Sequence, residues 1–536
     1  MNVHLSLINF CASSGYSLQR WANIITTMIP KEPNIFKIHR LRVIHIYEAD
    51  LTALLSTWSK RMILSSTSTN HLNDGSYGAR PGRTSTDPPL ISLLQTEIST
   101  ITRSSLCICP NDASQCYDRL IPNQALLSCM SHGMPFSAAK CIGTTLFNAK
   151  YYLRTAASQS TSYWSHSPST PIFGTGQGSG ISPGVCCVTY SDLFDLHSSI
   201  TNGSTYTSPD LLSSITINNI GFVDDTTTTI NDHVHNESLT SATLLSRLQH
   251  SLQQWSNLLN VSGGALELSK TSAYVLCWLF TPDGTPFLSD LTERSIQVSQ
   301  SDNTTQSIPI CPNSTPFKIL GFYLAPDQSS SRAYRVLFAK SMRLASAISS
   351  STVTPREAFP AYFAVFQPAI SYVLSLSTFT RTQCHQLQVK PTQLFLQKCG
   401  FVSNMKRAIV FGARQSGGLG FRHPFVEQGV AQLLKLIQTL RTPGPPKRLL
   451  LLCLQEWQVN SGMSYPLLAL PCKPCPHLEG SWLSSIRQFL ASINGSVTID
   501  HSLAISIQRE HDQHIMDALI RCTKFSTKRM KRLNSC

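Results

Sequence analysis

Gly221-Phe222-Val223-Asp224-Asp225 is the stretch that decides the fold, because it sets two adjacent carboxylates between two β-prone runs. The first run is Ser214 to Ile220 and the second is Thr226 to Ile230. Side chains alternate between the faces of a strand, but at a tight hairpin turn both acids can stand exposed at the tip. One acid could then face a metal ion while its neighbour supports it. The alternative is a solvated turn, since Asp is favoured in turns for its local hydrogen bonds alone.

The composition fits a large intracellular protein with a polyanionic partner. The chain has 536 residues, with 43 Lys and Arg against 29 Asp and Glu and a net charge of +14. An excess of positive charge favours nucleic acid or an anionic surface as the partner. The seventeen cysteines lack the regular spacing of a disulfide framework. Neither a secretory signal nor a run of 18 apolar residues is visible, so we predict nucleus or cytoplasm and no membrane.

Periodicity predicts the elements around the acid pair. Leu106 to Cys109 is strand-like and leads to Asp112, and Pro110 suggests an edge or a bend there. Residues 123–132 and 137–156 are helix-like, and Ser182 is expected to cap a helix that has Pro183 in its first turn. A stripe at helical spacing predicts a helix packed on a sheet: Leu244, Leu245, Leu248, Leu252, Trp255 and Leu259.

Three acids can meet at one sheet edge if the strand before Asp112 lies beside the strand after Asp225. Asp112 ends its strand, and Asp224 and Asp225 stand at the turn of theirs. Three carboxylates could hold two divalent cations, and hard oxygen ligands suit Mg²⁺. Such a metal pair activates an attacking hydroxyl and neutralises a leaving phosphate. The chemistry indicated is phosphoryl transfer.

Six blocks, in order, resemble one family: the reverse transcriptases, and within it those of non-LTR retrotransposons. Arg80-Pro81-Gly82-Arg83 resembles the block before the first catalytic strand, and Asp112-Ala113-Ser114-Gln115-Cys116-Tyr117-Asp118 resembles the first acidic motif. The second motif is resembled by Gly176-Gln177-Gly178 with Ser182-Pro183, and the Asp-Asp motif by Phe222-Val223-Asp224-Asp225. The lysine motif is resembled by Leu268-Ser269-Lys270-Thr271, and the hairpin that grips the primer by Leu320-Gly321. Gly417-Gly418-Leu419-Gly420 resembles an element often found past the thumb. The resemblance spans roughly residues 31 to 425.

The resemblance implies a catalytic centre and its partners. Asp112, Asp224 and Asp225 would hold two Mg²⁺ ions, with Mn²⁺ as an alternative. Lys270 would donate a proton to the departing pyrophosphate or stabilise it, and an exposed turn lysine is the alternative. The implied partners are an RNA template, a DNA primer and dNTPs.

The resemblance also implies a nucleotide-binding set. Tyr117 would stack under the sugar and leave no room for a 2′-hydroxyl, although a core tyrosine is the alternative. Gln177 would approach a base pair, where the flanking Gly176 and Gly178 allow the backbone to come close.

Basic residues complete the set implied for substrate binding. Arg42, with Lys37 upstream, falls where the family places a triphosphate-binding arginine, and plain surface charges are the alternative. The match weakens there, because Val43-Ile44-His45-Ile46 replaces the usual Pro-Ile-Ser-Leu. Arg80 is expected to be held in place by the Gly and Pro of its loop.

The implied fold class is α+β: a right-hand polymerase with an antiparallel-sheet palm, fingers and a helical thumb. The predicted domains are fingers at 1–105, palm with a fingers insertion and primer-grip hairpin at 106–330, thumb at 331–440 and a C-terminal region of unknown role at 441–536. The nearness of the fingers motif to the N terminus leaves a truncation of the fingers open, and the sequence is silent on oligomeric state.

Two rival functions stay open. One is a catalytically decayed, reverse-transcriptase-like RNA-binding protein, and the other is an RNA-directed RNA polymerase, which usually has Asp at the position of Tyr117. We expect neither an endonuclease domain nor a ribonuclease H acid set. A zinc site is disfavoured because the gap between its two groups of candidate ligands is long: Cys472, Cys475, His477, His511 and His514. The basic tail at 524–532 is expected to be a solvated end, with phosphate contacts or a nuclear address as alternatives.

Overall fold

The computed structural model describes residues 2–31, 35–114, 116–167, 169, 173–231, 240–300, 304–469, 478 and 480–499. The candidate zinc ligands and the basic tail lie outside these residues, as does Gln115. In the described ranges, no helix is both long enough and apolar enough to cross a membrane.

Helices and strands are numbered here in chain order. The helices are α1 (Asn2–Ser14), α2 (Ala49–Ser68), α3 (Asp87–Thr102), α4 (Cys116–Arg119), α5 (Pro122–Ser131), α6 (Phe136–Phe147), α7 (Ser182–Ile200), α8 (Ser241–Val261), α9 (Ser331–Ser350), α10 (Pro355–Ala361), α11 (Gln367–Leu374), α12 (Arg381–Lys398), α13 (Arg407–Phe411), α14 (Pro424–Arg441), α15 (Pro445–Ser461) and α16 (Trp482–Ser492). The strands are β1 (Asn23–Pro30), β2 (Leu41–Ile46), β3 (Leu106–Asp112), β4 (Lys150–Arg154), β5 (Trp164–Ser165), β6 (Ser204–Thr207), β7 (Ser214–Ile217), β8 (Asn219–Phe222), β9 (Asp225–Asn231), β10 (Tyr274–Leu276), β11 (Trp278–Phe280), β12 (Pro286–Leu288), β13 (Ser295–Ser299), β14 (Thr305–Pro309), β15 (Phe317–Ile319) and β16 (Phe322–Leu324).

The central sheet is antiparallel, with the strand order β10-β3-β9-β8. β3 pairs with β9 along its whole length, whereas β10 pairs only with Leu106–Ile108. Pro110 therefore lies past the end of β10, where its missing N–H breaks no ladder bond on that side. The bend or edge that this proline suggested is thus explained by a short neighbouring strand.

A buried polar network ties the central sheet to the helices behind it. Trp255 Nε1 of α8 donates to Asn111 Oδ1 at 3.1 Å, one residue before Asp112. His197 Nε2 lies 2.9 Å from the Ser251 carbonyl oxygen, so it must donate, which leaves Nδ1 to accept from Asn219 at 2.7 Å. Burial lowers the pKa of His197, in keeping with this neutral form. These bonds fix β3 and β8 against α7 and α8.

The apolar stripe of α8 packs as predicted. Leu248, Leu252, Trp255 and Leu259 are fully buried, and Leu245 packs at the margin of the same core. The helix contacts β9, α7 and β13. It therefore supports the strand that begins at Asp225.

A second sheet, which we call the fingers sheet, has the order β2-β1-β4-β5. The helix predicted over 137–156 is wrong in its last part. The helix α6 ends at Phe147, and Lys150–Arg154 forms the strand β4, which pairs in parallel with β1. Tyr151 and Tyr152 favour a strand, and pairing with β1 supplies the hydrogen bonds that a helix would otherwise provide.

Helices dominate after the β15–β16 hairpin, as expected for 331–440. α10 continues through one π turn into α11. The helices α15 and α16 pack against α3, and α3 also contacts β8 of the central sheet. The predicted boundaries at residues 105 and 441 therefore run through one continuous apolar core.

Two buried acids of α3 hold the C-terminal helices in place. Asp87 Oδ1 lies 2.5 Å from Lys435 Nζ of α14, and both side chains are almost fully buried. Glu97, also buried, accepts a hydrogen bond from the backbone N–H of Trp482 at the start of α16. A carboxylate at this position satisfies a free N–H of the helix N terminus.

The α+β fold class predicted from the sequence is confirmed. A four-stranded antiparallel sheet carries the acids, the four-stranded fingers sheet is formed by β1, β2, β4 and β5, and helices follow the β15–β16 hairpin. This is the arrangement expected for a right-hand polymerase with palm, fingers and thumb.

Candidate active site at the paired strands β3 and β9

Three carboxylates meet at one edge of the central sheet. Asp112, the last residue of β3, is the register partner of Asp225, the first residue of β9. Asp224 lies in the two-residue turn between β8 and β9, and its carbonyl oxygen accepts from Ala113 N at 3.2 Å. The pairing of β3 with β9 thus brings together the two acidic segments, 112 residues apart along the chain, that the sequence placed in one site.

The turn that presents Asp224 is strained. Val223 has φ +63°, in the left-handed region that costs a β-branched residue about 1–2 kcal/mol. Gly78 lies against this turn, where an added Cβ would come 2.8 Å from Val223 Cγ2 and 2.9 Å from its backbone N. Gly221 is also bonded to the same loop, because its carbonyl accepts from Tyr77 N at 2.9 Å. The loop from Gly75 to Gly78 therefore supports the strained turn.

Burial and charge repulsion raise the pKa of Asp224 and Asp225. Partial burial, followed by repulsion from Asp224 and Asp112, raises the pKa of Asp225 to about 6. The pKa of Asp224 is raised by the same two causes, while Lys270 and Arg42 oppose the shift. Repulsion of this kind favours any cation that enters the site.

Lys270 approaches the first of these acids. It ends a short 3₁₀ turn, and its Nζ lies 2.5 Å from Asp112 Oδ2. The hydrogen bond to Asp112 raises the pKa of Lys270, so the side chain stays cationic. Glu267 N donates to the Asp112 carbonyl oxygen at 2.8 Å and holds the turn beside β3.

The carboxylates suit hard divalent cations in their chemistry, although their side chains do not surround one point. In the part of the chain described here, no group of three His, Cys, Asp or Glu side chains is arranged to hold a metal ion. One oxygen of Asp112 is instead taken by the Lys270 ammonium. Asp112, Asp224 and Asp225 offer oxygen ligands that repel one another, which fits Mg²⁺. A metal ion at Asp112 Oδ2 would compete with this ammonium.

Tyr117 and Gln177 lie on two segments that are bonded together beside the acids. Thr175 N donates to the Tyr117 carbonyl oxygen at 2.9 Å, and Gln177 Nε2 donates to Asp118 Oδ2 at 3.1 Å. Tyr117 is half-buried, and burial is the main cause of its raised pKa, with Asp224 contributing. The charge of Asp224 therefore acts on the Tyr117 hydroxyl.

The glycines beside Gln177 permit a close approach to the fingers sheet. Gly176 has φ +79° and Gly178 has φ +108°, and added Cβ atoms would lie 2.5 Å from Tyr47 Oη and 2.3 Å from the His45 carbonyl oxygen. His45 N donates to the Gln177 carbonyl oxygen at 2.7 Å. This loop is thus bonded to the fingers sheet through His45.

The prediction that Ser182 caps a helix is wrong by one position. Ser182 is the first residue of α7 rather than its cap, which is Ile181. Its hydroxyl donates to the carbonyl oxygens of Thr175 and Gly176 at 3.0 and 2.8 Å. Ser182 therefore fastens the glycine loop, which a capping pattern alone did not indicate.

An open cleft of about 260 Å³ lies between the fingers sheet and the glycine loop. Its lining includes Arg42 and Gln177. Lys37 is exposed and does not line this cleft. Arg80 is only 8% exposed, and its Nη1 donates to the Asn73 carbonyl oxygen at 2.9 Å. The structure thus brings Arg42 and Gln177 together and leaves Lys37 and Arg80 outside the cleft.

Sequence reasoning did not select four polar residues near the site. Asp118 bonds Gln177, Lys31 and His45 line the cleft, and Lys318 on β15 favours the ionised form of Asp225. Asp118 stood inside the first acidic motif and could have been considered there. Lys31, His45 and Lys318 reach the site only through tertiary packing.

Comparison with known proteins gives limited similarity. No protein-family model and no curated protein matches the chain. Among solved structures, telomerase from Candida albicans in complex with a TWJ fragment of telomeric RNA matches at 12% identity and a TM-score of 0.33, covering 83% of this chain and 68% of that chain. Apo telomerase from Candida tropicalis matches at 12% identity and 0.33, with coverage of 82% and 68%. A form truncated from its C-terminal domain matches at 11% and 0.34, with coverage of 57% and 60%. These TM-scores are too low to carry an argument, so the functional reasoning rests on the strands and side chains described above.

Proposed function

We propose that the chain is an RNA-directed DNA polymerase of the non-LTR retrotransposon type, which adds dNMPs to a primer 3′-hydroxyl. The observation that carries this proposal is the register of β3 and β9, which sets Asp112 opposite Asp225 with Asp224 at the adjoining turn. The three acids stand near a cleft lined by Arg42, and Arg42 acts electrostatically on Asp224. Carboxylates that can bind metal ions, together with a cation that can bind phosphates, favour nucleotidyl transfer as the reaction.

The metal ions would be held by Asp112, Asp224 and Asp225. When bound, two Mg²⁺ ions would activate the primer hydroxyl and neutralise charge on the departing pyrophosphate. Lys270 would then be displaced from Asp112 and would remain protonated close to the reacting phosphate. An ammonium there can stabilise the leaving group or donate its proton.

The nucleotide would be positioned by side chains of the fingers and the glycine loop. Arg42 would meet the triphosphate, as guanidinium groups suit phosphate oxygens. Tyr117 would lie under the sugar and exclude a 2′-hydroxyl. The amide of Gln177, which is fixed by Asp118, would face the nascent base pair. RNA template, DNA primer and dNTPs are the partners that this arrangement serves.

Primer extension tests the proposal. The purified chain should extend oligo(dT) on poly(rA) with dTTP and Mg²⁺, and Asp224→Asn should abolish extension. Asp283→Asn, at an exposed turn, removes the same charge away from the site and should leave extension intact. A wild-type chain that binds the template–primer without extending it would instead support the decayed, RNA-binding alternative.

Nucleotide choice separates the two polymerase classes. A reverse transcriptase should incorporate dNTPs in preference to rNTPs, because the Tyr117 ring would occupy the space of a 2′-hydroxyl. A preference for rNTPs would contradict the assignment in favour of an RNA-directed RNA polymerase.

A further inference from the structure

The fingers sheet has one face turned to the cleft and one turned away from it. Alternate residues of a strand point to opposite faces. Tyr151 and its register partner Trp164 both line the cleft. Lys150, Tyr152 and Arg154 of the same strand therefore lie on the opposite face.

Aromatic rings gather on this opposite face. The rings of Tyr152 and Tyr163 have centroids 5.5 Å apart, and Lys150 Nζ lies 5.0 Å from the centre of the Tyr163 ring. Tyr163 is 48% exposed, and Arg154 is exposed as well. We call Lys150, Tyr152, Arg154 and Tyr163 the outer fingers face.

The outer fingers face belongs to an acid-free stretch of sequence. No Asp or Glu occurs between Asp118 and Asp192, while this stretch contains Lys and Arg residues that include Lys150 and Arg154. Positive charge without nearby acids in sequence favours a polyanion over a typical mixed-charge protein surface.

We propose that the outer fingers face binds single-stranded RNA, with unpaired bases stacked on Tyr152 and Tyr163 and phosphates against Lys150 and Arg154. Exposed rings on an open sheet can stack on the faces of unpaired bases, which a duplex conceals. Stacking of this kind tolerates any sequence, because every base has a flat face. This surface is separate from the cleft, since the strand alternation puts it on the other side of the fingers sheet.

The test is RNA binding by the full chain with its cleft occupied. Fluorescence anisotropy would measure the binding of a labelled oligo(U) of about 20 nucleotides, which is long enough for several stacked bases. An excess of unlabelled, blunt-ended RNA·DNA duplex would occupy the cleft. Tyr152→Ala with Tyr163→Ala should weaken binding at least about tenfold, the loss expected from stacking. Lys150→Ala with Arg154→Ala should weaken binding and lower the salt slope by about 1.4, or about 0.7 for each phosphate contact.

Matched controls use an exposed tyrosine and an exposed lysine elsewhere. Tyr16 and Lys60 are both exposed and lie outside the fingers sheet. Tyr16→Ala and Lys60→Ala should leave oligo(U) affinity unchanged. Because the readout is binding rather than synthesis, it stays informative even for a chain that does not extend primers.

Four results would overturn the proposal. They are unchanged oligo(U) affinity in both double variants, an equal loss in the controls, a loss of duplex RNA affinity in the double variants as large as their loss of oligo(U) affinity, and a wild-type dimer that Tyr152→Ala with Tyr163→Ala converts to monomer. The last result would make this face an interface between two copies of the chain.

Discussion

Glu97 is the residue through which pH should act on the stability of the C-terminal helices. Its side chain is fully buried on α3, and its Oε1 accepts from Trp482 N at 2.5 Å. Burial raises the pKa of Glu97 to about 7, while the hydrogen bond from Trp482 opposes the shift. The ionised form is therefore the costly one in the folded chain.

The direction and size of the effect follow from the two pKa values. The folded-state pKa lies above the ordinary value of 4.5, so the folded chain binds more protons than the unfolded chain between about pH 4.5 and 7. Stability contributed by this group is fully present below that window and falls as pH rises through it. At ~1.4 kcal/mol for each pKa unit, the loss is on the order of 3 kcal/mol.

Glu97→Gln should remove this pH dependence. Glutamine keeps a carbonyl oxygen for the Trp482 N–H but carries no charge. The variant should match the wild type near about pH 5 and exceed it by on the order of 3 kcal/mol near about pH 8. Urea unfolding followed by tryptophan fluorescence would measure this, since the buried Trp457 and Trp482 lie on the two helices concerned.

The control for this experiment is the exposed Glu293. Glu293→Gln is a surface change and should alter the free energy of unfolding by less than about 0.5 kcal/mol. If the difference between Glu97→Gln and the wild type stays constant from about pH 5 to 8, the reasoning about the buried carboxylate is wrong.

Three further substitutions test the buried ion pair between α3 and α14, the turn at Val223 and the role proposed for Tyr117. Lys435→Met leaves Asp87 buried without its partner and should cost about 3–5 kcal/mol in urea unfolding. Gly78→Ala pushes on the turn at Val223 and should slow primer extension at least about tenfold, with an unchanged circular dichroism spectrum. Tyr117→Val should lower the preference for dNTPs over rNTPs by about 10–200-fold, measured as the ratio of kcat/KM values.

Controls for these changes are available on the same chain. Lys390 is exposed on α12, and Lys390→Met should alter stability by less than about 0.5 kcal/mol. Gly480 has no heavy atom within 4 Å of an added Cβ, so Gly480→Ala should extend primers at the wild-type rate. Equal stability of the two lysine variants, equal rates of the two glycine variants or an unchanged nucleotide preference in Tyr117→Val would each count against the corresponding argument.

The sequence predicted much of the site because the strands and the turn that present the acids are encoded by short local patterns. The strand before Asp112 and the hairpin around Asp224 both follow from short β-prone runs, and their pairing in one sheet is observed. The helix from Ser241 was visible from its stripe of apolar residues. Whether these acids bind metal and catalyse remains a prediction.

Other features could not be read from local patterns. Lys150–Arg154 follows a helical segment without a break signal, and its place in the sheet is set by pairing with β1 and β5. The contact between Lys270 and Asp112 joins positions 158 residues apart, and the bond between Glu97 and Trp482 joins positions 385 apart. Tertiary packing brings together residues that are this far apart in sequence, and a single sequence does not show which residues pack together.

The central claim is that Asp112, Asp224 and Asp225 form one polymerising site. Template-directed incorporation of labelled dTTP on poly(rA)·oligo(dT) tests it most directly, with the wild type beside the three single Asp→Asn variants at these positions. We expect Mg²⁺-dependent DNA synthesis by the wild type and none by any of the three. Synthesis retained by a variant that lacks one of these carboxylates, or absent from a folded wild type, would contradict the account.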